Sequence, residues 1–293
     1  MFRQLVQWAS FVKFSHTLFA LPFALASMMV AARENSGWPG LRIFVLVVAA
    51  MVTARTCAMS FNRIVDRRFD ALNPRTSGRH LPAGQISLAS AWALCILSGA
   101  LFILCAALLN RPCFYLSPLA LFIILFYSFT KRFTDFTHFY LGLALALAPL
   151  GAWLAVRGSI SFTPLLLAII VFCWLIGFDV IYALQDYDFD RKQKLHSLVV
   201  RWGPANALQF AFLVHMVMWG LLLLFGLICR FRVAFFTSLL IILLSLLLEH
   251  WLARRRSLRW IDTAFFRLNV LISLVFLLGT AIEIIFPGFR IRR

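Results

Sequence analysis

Long apolar runs dominate this chain, and short polar segments punctuate them. Nine runs are long enough to cross a bilayer: about 14–32, 41–65, 87–108, 112–129, 137–155, 164–185, 207–229, 233–252 and 265–287. A helix needs about 20 mostly apolar residues to cross a hydrocarbon core, so each run predicts one transmembrane helix. A closed barrel would need alternating segments of about ten residues, and the pattern contains none. The expected fold class is therefore all-α, a polytopic membrane protein with residues 1–293 as one transmembrane domain. The weakest boundary lies between the third and fourth runs, where Asn110-Arg111-Pro112 is the only break. The first run lacks a small-residue exit site, so it is expected to remain a span and not a cleaved leader.

Charge sharpens this picture. Apolar residues make up 62% of the chain and charged residues 13%, yet the formal net charge is +17. With the N-terminus placed inside, the inner loops collect 18 of the 28 basic residues and the outer segments nine, while Arg55 falls within a span. That bias orients the N-terminus toward the cytoplasm and the C-terminus outward. Topology and attraction to anionic lipid or substrate account for the charge, so no nucleic-acid partner is expected. The six cysteines show no CxxC spacing and read as small core residues.

The acidic residues are few and unevenly placed. Six of 11 fall in two stretches, Asn62-Arg-Ile-Val-Asp66-Arg-Arg-Phe-Asp70 and Asp179 through Asp186-Tyr-Asp188-Phe-Asp190. Each closes an apolar helix at its cytoplasmic end, and each is followed by a basic, polar loop. The motifs sit on the second and sixth helices, which suggests two parallel four-helix units plus a ninth helix. On a helix, Asn62, Asp66 and Asp70 step about 40° each, forming a stripe about 12 Å long. Arg55 lies nearly on that stripe, about two turns deeper. Asp179, Asp186 and Asp190 repeat the theme, and Asp188 points about 160° away from them. Intramembrane charges are costly and normally face a cavity or a partner.

Two facing carboxylate rows suit Mg²⁺, which takes oxygen ligands and shares them among carboxylates, water and substrate phosphates. The candidate metal ligands are Asp66, Asp70, Asp186 and Asp190, and the pattern suggests an intramembrane enzyme acting on a diphosphate. Solvated helix ends with weak ion pairs are the competing reading. A buried Arg55 paired with Asp179 is the structural reading of that arginine. Among the histidines, His16 and His80 are candidates to line the site. His138, His196, His215 and His250 read as packing or interface residues. There is no P-loop, GxSxG or dinucleotide fingerprint.

Four elements in order resemble one family. NRIVDRRFD (62–70) looks like the NxxxDxxxD motif of the UbiA family of intramembrane prenyltransferases. Arg79-His-Leu-Pro-Ala-Gly84 resembles its RxLPxG segment, Tyr127-Ser-Phe-Thr-Lys131 its YxxxK element, and YALQDYDFDRK (182–192) its second motif. Arg55 falls where relatives commonly carry an arginine. The resemblance implies nine helices around a central cavity, with Mg²⁺ as cofactor and polyprenyl diphosphate and an aromatic acid as substrates. It implies ionisation to an allylic cation, attack by the acceptor ring, and catalytic roles for Asp66, Asp70, Asp186, Asp190, Asn62, Lys131 and Tyr127. Arg55, Arg63, Arg67, Arg79 and Asp179 are the expected substrate-binding residues.

Within the family, YSFTKRFT and RHLPAG look most like the 4-hydroxybenzoate branch of ubiquinone-type synthesis. The N-terminal Phe14-Ser-His-Thr-Leu-Phe-Ala-Leu-Pro also resembles enzymes of the futalosine menaquinone route, which take a dihydroxynaphthoate. A CDP-alcohol phosphotransferase would need DG and AR ahead of a glycine-containing DxxxD, which is absent here. A cation-coupled transporter would place its acids near the bilayer midplane. The expected location is a bacterial inner membrane, with the site loops cytoplasmic and no obligate protein partner.

Overall fold

The computed structural model describes residues 2–13, 17–254 and 263–287, and among these every regular element is a helix. They are α1 (Phe2–Phe11), α2 (Thr17–Ala31), α3 (Leu41–Leu72), α4 (Leu88–Leu109), α5 (Arg111–Thr130) and α6 (Thr137–Arg157). After these come α7 (Phe162–Ala183), the short α8 (Tyr187–Lys192), α9 (Leu198–Ile228), α10 (Val233–Ala253) and α11 (Asn269–Ile285). Eight helical stretches are long and apolar enough to cross a membrane, and a shorter apolar helix covers Phe19–Ala31. The first predicted run thus becomes a helix of 15 residues, shorter than a full span. His16 and the start of the Phe14–Pro22 resemblance lie outside the described residues.

Local chemistry sets the boundaries. Asn110 separates α4 from α5, where its side chain accepts from the Cys113 N–H at 2.9 Å and donates to Leu154 O at 2.8 Å. Pro112 follows in the first turn of α5, where a missing N–H costs nothing. The seventh predicted run starts late. Helix α9 begins at Leu198, but Gly203 breaks it at φ 76° before Pro204, and only the part beyond matches the apolar pattern. A left-handed φ suits glycine because it has no Cβ to clash.

Helix α3 has 32 residues, so it is about 48 Å long. A bilayer core takes about 30 Å, which leaves its last third, carrying Asn62 to Asp70, at one boundary of the apolar slab. Helix α7 is the central post. Its apolar stretch is 72% buried, against 22% for that of α3. Phe23 of α2 packs against Trp174 of α7 and Phe276 of α11, with centroids 4.8 and 4.7 Å away. Lipid is as apolar as these rings, so close packing and interhelical hydrogen bonds hold such helices together. Trp174 Nε1 donates to Asn269 Oδ1 at 2.7 Å, and Asn269 Nδ2 donates to Glu249 Oε1 at 2.8 Å, tying α7 to α10 and α11. The six cysteines are free.

Candidate active site

One cavity of about 530 Å³ gathers nearly all the residues singled out by the sequence. Asn62, Arg63, Asp66 and Asp70 reach it from α3, Tyr127 from α5, and Lys131 and Arg79 from the loops. Asp179, Asp186 and Asp190 reach it from α7 and the segment beyond, and Arg55 lines it deeper along α3. Arg67 and His80 are not among its lining residues; His80 instead meets the Phe11 ring edge-on at 6.1 Å. Away from the acids the walls are apolar, with Phe102 of α4, Leu116 and Ile124 of α5, and Leu147 of α6.

Each acidic residue of the two DxxxD pairs has its own basic partner. Arg79 Nη1 lies 2.6 Å from Asp70 Oδ1, and Arg132 Nη2 lies 3.5 Å from Asp66 Oδ1. Lys131 Nζ lies 3.8 Å from Asp190 Oδ2. Arg75 grips Asp186 with both arms, Nε to Oδ1 at 2.9 Å and Nη2 to Oδ2 at 2.5 Å. Asn73 Nδ2 donates to the same carboxylate at 3.1 Å, and Arg75 Nη1 donates to the Tyr182 hydroxyl at 3.0 Å. The loop after the first motif is thereby fastened to the second motif, so the motifs share one end of the bundle. Asn62 Nδ2 donates to Asp66 Oδ2 at 2.9 Å within the α3 stripe.

These contacts shape the charge balance at the loops. Burial works most strongly against the Lys131 ammonium, but Asp190, Asp186, Asp179 and Asp66 together outweigh it and raise its pKa. For Arg75 burial again opposes the charge, and the hydrogen-bonded Asp186 carboxylate more than offsets it. Among the lining residues seven are basic (Lys13, Arg55, Arg63, Arg75, Arg79, Lys131, Arg132) and five are acidic. That surplus favours an anionic ligand. Two carboxylate oxygens, Asp70 Oδ2 and Asp190 Oδ2, are buried without a hydrogen-bond partner. One comes from each motif, and a buried oxygen without a hydrogen bond suits a hard cation, with Lys131 Nζ 3.8 Å from the second of them. Among the described residues no three acidic, histidine or cysteine side chains converge into a ready metal cluster.

The second motif departs from the expected geometry. The helix does not continue evenly from Asp179 to Asp190: α7 stops at Ala183, Leu184–Asp186 form a tighter 3₁₀ turn, and α8 resumes at Tyr187. Asp186 and Asp190 are both buried in this arrangement and Asp188 is exposed. Asp179 lines the same cavity as both. It bonds the buried His138 of α6, Oδ2 to Nδ1 at 2.6 Å, so the reading of a pair with Arg55 is replaced. His138, expected as a packing residue, is a polar partner of Asp179 behind the cavity lining. Arg55 keeps a buried Nε with no hydrogen-bond partner.

Sequence reasoning missed Asn73, Arg75, Arg132 and His138 as site residues. Asn73-Pro-Arg75 stood directly after the first motif and Arg132 directly after Lys131, so proximity to a motif was the available signal. His138 had none, because its partner is 41 residues away.

An apolar helical bundle with a largely apolar cavity, and paired carboxylates at its mouth amid excess cations, defines an intramembrane enzyme acting on an anionic lipid-like substrate. Residues 20–271 match the model of the UbiA prenyltransferase family, and the chain belongs to that family. It is 30% identical over 255 residues to a 4-hydroxybenzoate octaprenyltransferase of Francisella tularensis subsp. tularensis, covering 87% of this chain and 88% of that protein. A UbiA homologue from Aeropyrum pernix K1, solved in its apo form, superposes with a TM-score of 0.82 at 32% identity, covering 92% of this chain and 98% of the other. A UbiA homologue from Archaeoglobus fulgidus, solved with DMAPP and Mg²⁺, shares the fold with a TM-score of 0.72 at 23% identity, covering 95% of this chain and 99% of the other. The protein is thus a prenyltransferase with an all-helical UbiA fold.

Proposed function

We propose that this enzyme moves a polyprenyl group from its diphosphate to 4-hydroxybenzoate at the cytoplasmic face of a bacterial inner membrane, in quinone synthesis. The observation that carries the acceptor class is Arg55. Its guanidinium lines the cavity beyond the carboxylates, in the apolar slab, with a buried Nε unpaired. A buried cation without a partner is unfavourable, and an aromatic carboxylate supplies one in bidentate geometry. The name of the Francisella relative supports the hydroxybenzoate over the dihydroxynaphthoate reading.

The donor set at the cavity mouth fits Mg²⁺, with Asp66 and Asp70 on one side and Asp186 and Asp190 on the other. When bound, Mg²⁺ neutralises the diphosphate and makes it a better leaving group. Arg63, Arg79 and Lys131 hold the remaining phosphate oxygens and oppose the charge that builds on the leaving group. Asn62 fixes the Asp66 carboxylate through its hydrogen bond. Tyr127 lines the acceptor end, within electrostatic reach of Arg55, Asp66 and Asp179. The apolar walls take the isoprenoid tail and keep water from trapping the allylic cation as prenol.

The test uses purified protein in nanodiscs with polyprenyl diphosphate, Mg²⁺ and each acceptor in turn. Prenylated 4-hydroxybenzoate alone supports the reading, and product from 1,4-dihydroxy-6-naphthoate alone overturns it. Arg55→Gln should lower kcat/KM for the aromatic acid by about 10- to 100-fold, from the ~1.5–3 kcal/mol of a charged hydrogen bond. The KM for the prenyl donor should change little.

A further inference from the structure

Prenyl transfer to a ring carbon leaves a proton to be removed, and the cavity that excludes water must supply its acceptor. Five carboxylates line the cavity. Asp66, Asp70, Asp186 and Asp190 each face an arginine or lysine. Asp179 alone has none, and its hydrogen-bond partner is the imidazole of His138. Its Oδ2 is 2.6 Å from His138 Nδ1, while Oδ1 takes no hydrogen bond on the cavity side.

His138 is fully buried and its Nε2 has no partner. An imidazolium there would leave an N–H donor stranded in an apolar wall, whereas a bare acceptor nitrogen costs less. The ring therefore carries its N–H on Nδ1 and donates it to Asp179. That bond holds the carboxylate in one orientation, with Oδ1 open. Asp179 lies seven residues before Asp186, about 10 Å deeper along the helix axis. Asp179 and Arg55 line the same cavity, so a bound acceptor ring would lie between them and the diphosphate end.

We propose that Asp179 is the general base of the transfer and that His138 is its positioning residue. The assignment rests on the aromatic-acceptor reading above. The donor C1–O bond breaks and its electron pair leaves with the diphosphate. The ring carbon ortho to the phenol oxygen bonds C1. Its hydrogen passes as a proton to Asp179 Oδ1, and the C–H electron pair restores the aromatic ring. Asp179 returns the proton to solvent when the products leave. A positioned base contributes about 10²- to 10⁴-fold to such a step.

The experiment compares the full chain with Asp179→Asn, His138→Leu and His138→Asn in nanodiscs. Geranyl diphosphate and Mg²⁺ are supplied with whichever aromatic acid the wild type prenylates, with protium or deuterium at the reacting ring position. A wild type inactive on 4-hydroxybenzoate but active on the naphthoate removes the acceptor assignment and leaves the base to be tested on the naphthoate. In support, Asp179→Asn loses about 100-fold or more in kcat, as expected for a general base. It also gains a primary deuterium isotope effect absent from the wild type, and releases more prenol per prenylated acid. His138→Leu shows the same isotope effect at smaller loss, and His138→Asn, which restores an N–H donor, recovers most of the rate. If Asp179→Asn does not fold, the two His138 variants decide by the same isotope criterion. An Asp179→Asn enzyme within about threefold of wild type, or one slowed with no isotope effect, overturns the assignment, since a base is worth far more than that.

Discussion

The two acidic motifs do the same work on different supports. The first rides on one continuous helix of 32 residues, whose span is mostly lipid-facing or cavity-facing. The second sits past the end of the most buried helix, on a 3₁₀ turn and a helix of six residues. The first motif draws Arg79 from its own loop, and Arg132, which also bonds the Val65 carbonyl at 2.9 Å, from the end of α5. The second is clasped from far away: Asn73 and Arg75, 113 and 111 residues earlier, hold Asp186. A regular helix can place ligands by periodicity alone. A broken one places them by tertiary contacts, and the buried post α7 keeps those contacts in register.

The harshest way to break the comparison is to remove one carboxylate from each side. Asp66→Ala and Asp190→Ala should each lower prenyl transfer by about 10²- to 10³-fold, because losing charge stabilisation at a metal-assisted step costs several kcal/mol. Both proteins should remain inserted and monodisperse. Turnover near normal in one of them, measured as prenylated acid per enzyme, would show that only the other motif does chemistry.

Packing separates the motifs next. A Cβ at Gly177 of α7 would stand 2.1 Å from His215 Nε2, and the His215 ring is itself bonded to Trp174 O and to His250. Gly177→Ala should therefore destabilise the protein by about 1–3 kcal/mol, the usual cost of overpacking. Across from α3, a Cβ at Gly99 would lie 3.3 Å from Cys57 Sγ. That thiol can yield, so Gly99→Ala should cost under about 1 kcal/mol. Thermal unfolding in detergent compares the two. Equal melting shifts would remove the idea that the second motif depends on the rigid post.

The helices were legible because lipid allows so few solutions: twenty apolar residues in a row can be little else than a span. The α3 stripe was legible for the same reason, since Asn62, Asp66 and Asp70 follow one helical period. The pattern failed where backbone irregularity or long-range partners decide. Nothing local in Tyr182-Ala-Leu-Gln-Asp186 announces a 3₁₀ turn. The grip of Arg75 on Asp186 and of His138 on Asp179 joins segments that periodicity treats as unrelated. Gly203-Pro204 was a visible turn signal, but α9 resumes helix on both sides of it.

The clasp can itself be tested. Arg75→Ala removes both arms from a carboxylate that is only 9% exposed. In Mg²⁺-free buffer this should destabilise the enzyme by about 1–3 kcal/mol, the cost of leaving a buried charged group short of its partner. Added Mg²⁺ should recover much of the loss, because a bound cation at the second motif takes over part of the compensation. Arg132→Ala, whose partner Asp66 is 29% exposed, should show a smaller shift and less rescue. Equal shifts in the two variants would mean that the buried clasp is no tighter than the more exposed Arg132–Asp66 pair.

The mildest substitution probes the turn. In an uninterrupted helix, Asp188 would stand about 160° from Asp186. With the 3₁₀ turn at Leu184–Asp186, Asp186 and Asp190 both remain buried in the cavity wall while Asp188 is exposed. An exposed carboxylate outside the cavity lining has no ligand to hold, and surface substitutions of this kind usually stay within ~0.5 kcal/mol. Asp188→Ala should keep activity within about threefold of wild type, since 0.5 kcal/mol is a factor of about two to three. Asp186→Ala should fall by orders of magnitude. Steady-state rates at saturating Mg²⁺ decide the order. A larger loss at Asp188 than at Asp186 would place the turn one residue elsewhere and exchange which carboxylate faces the diphosphate.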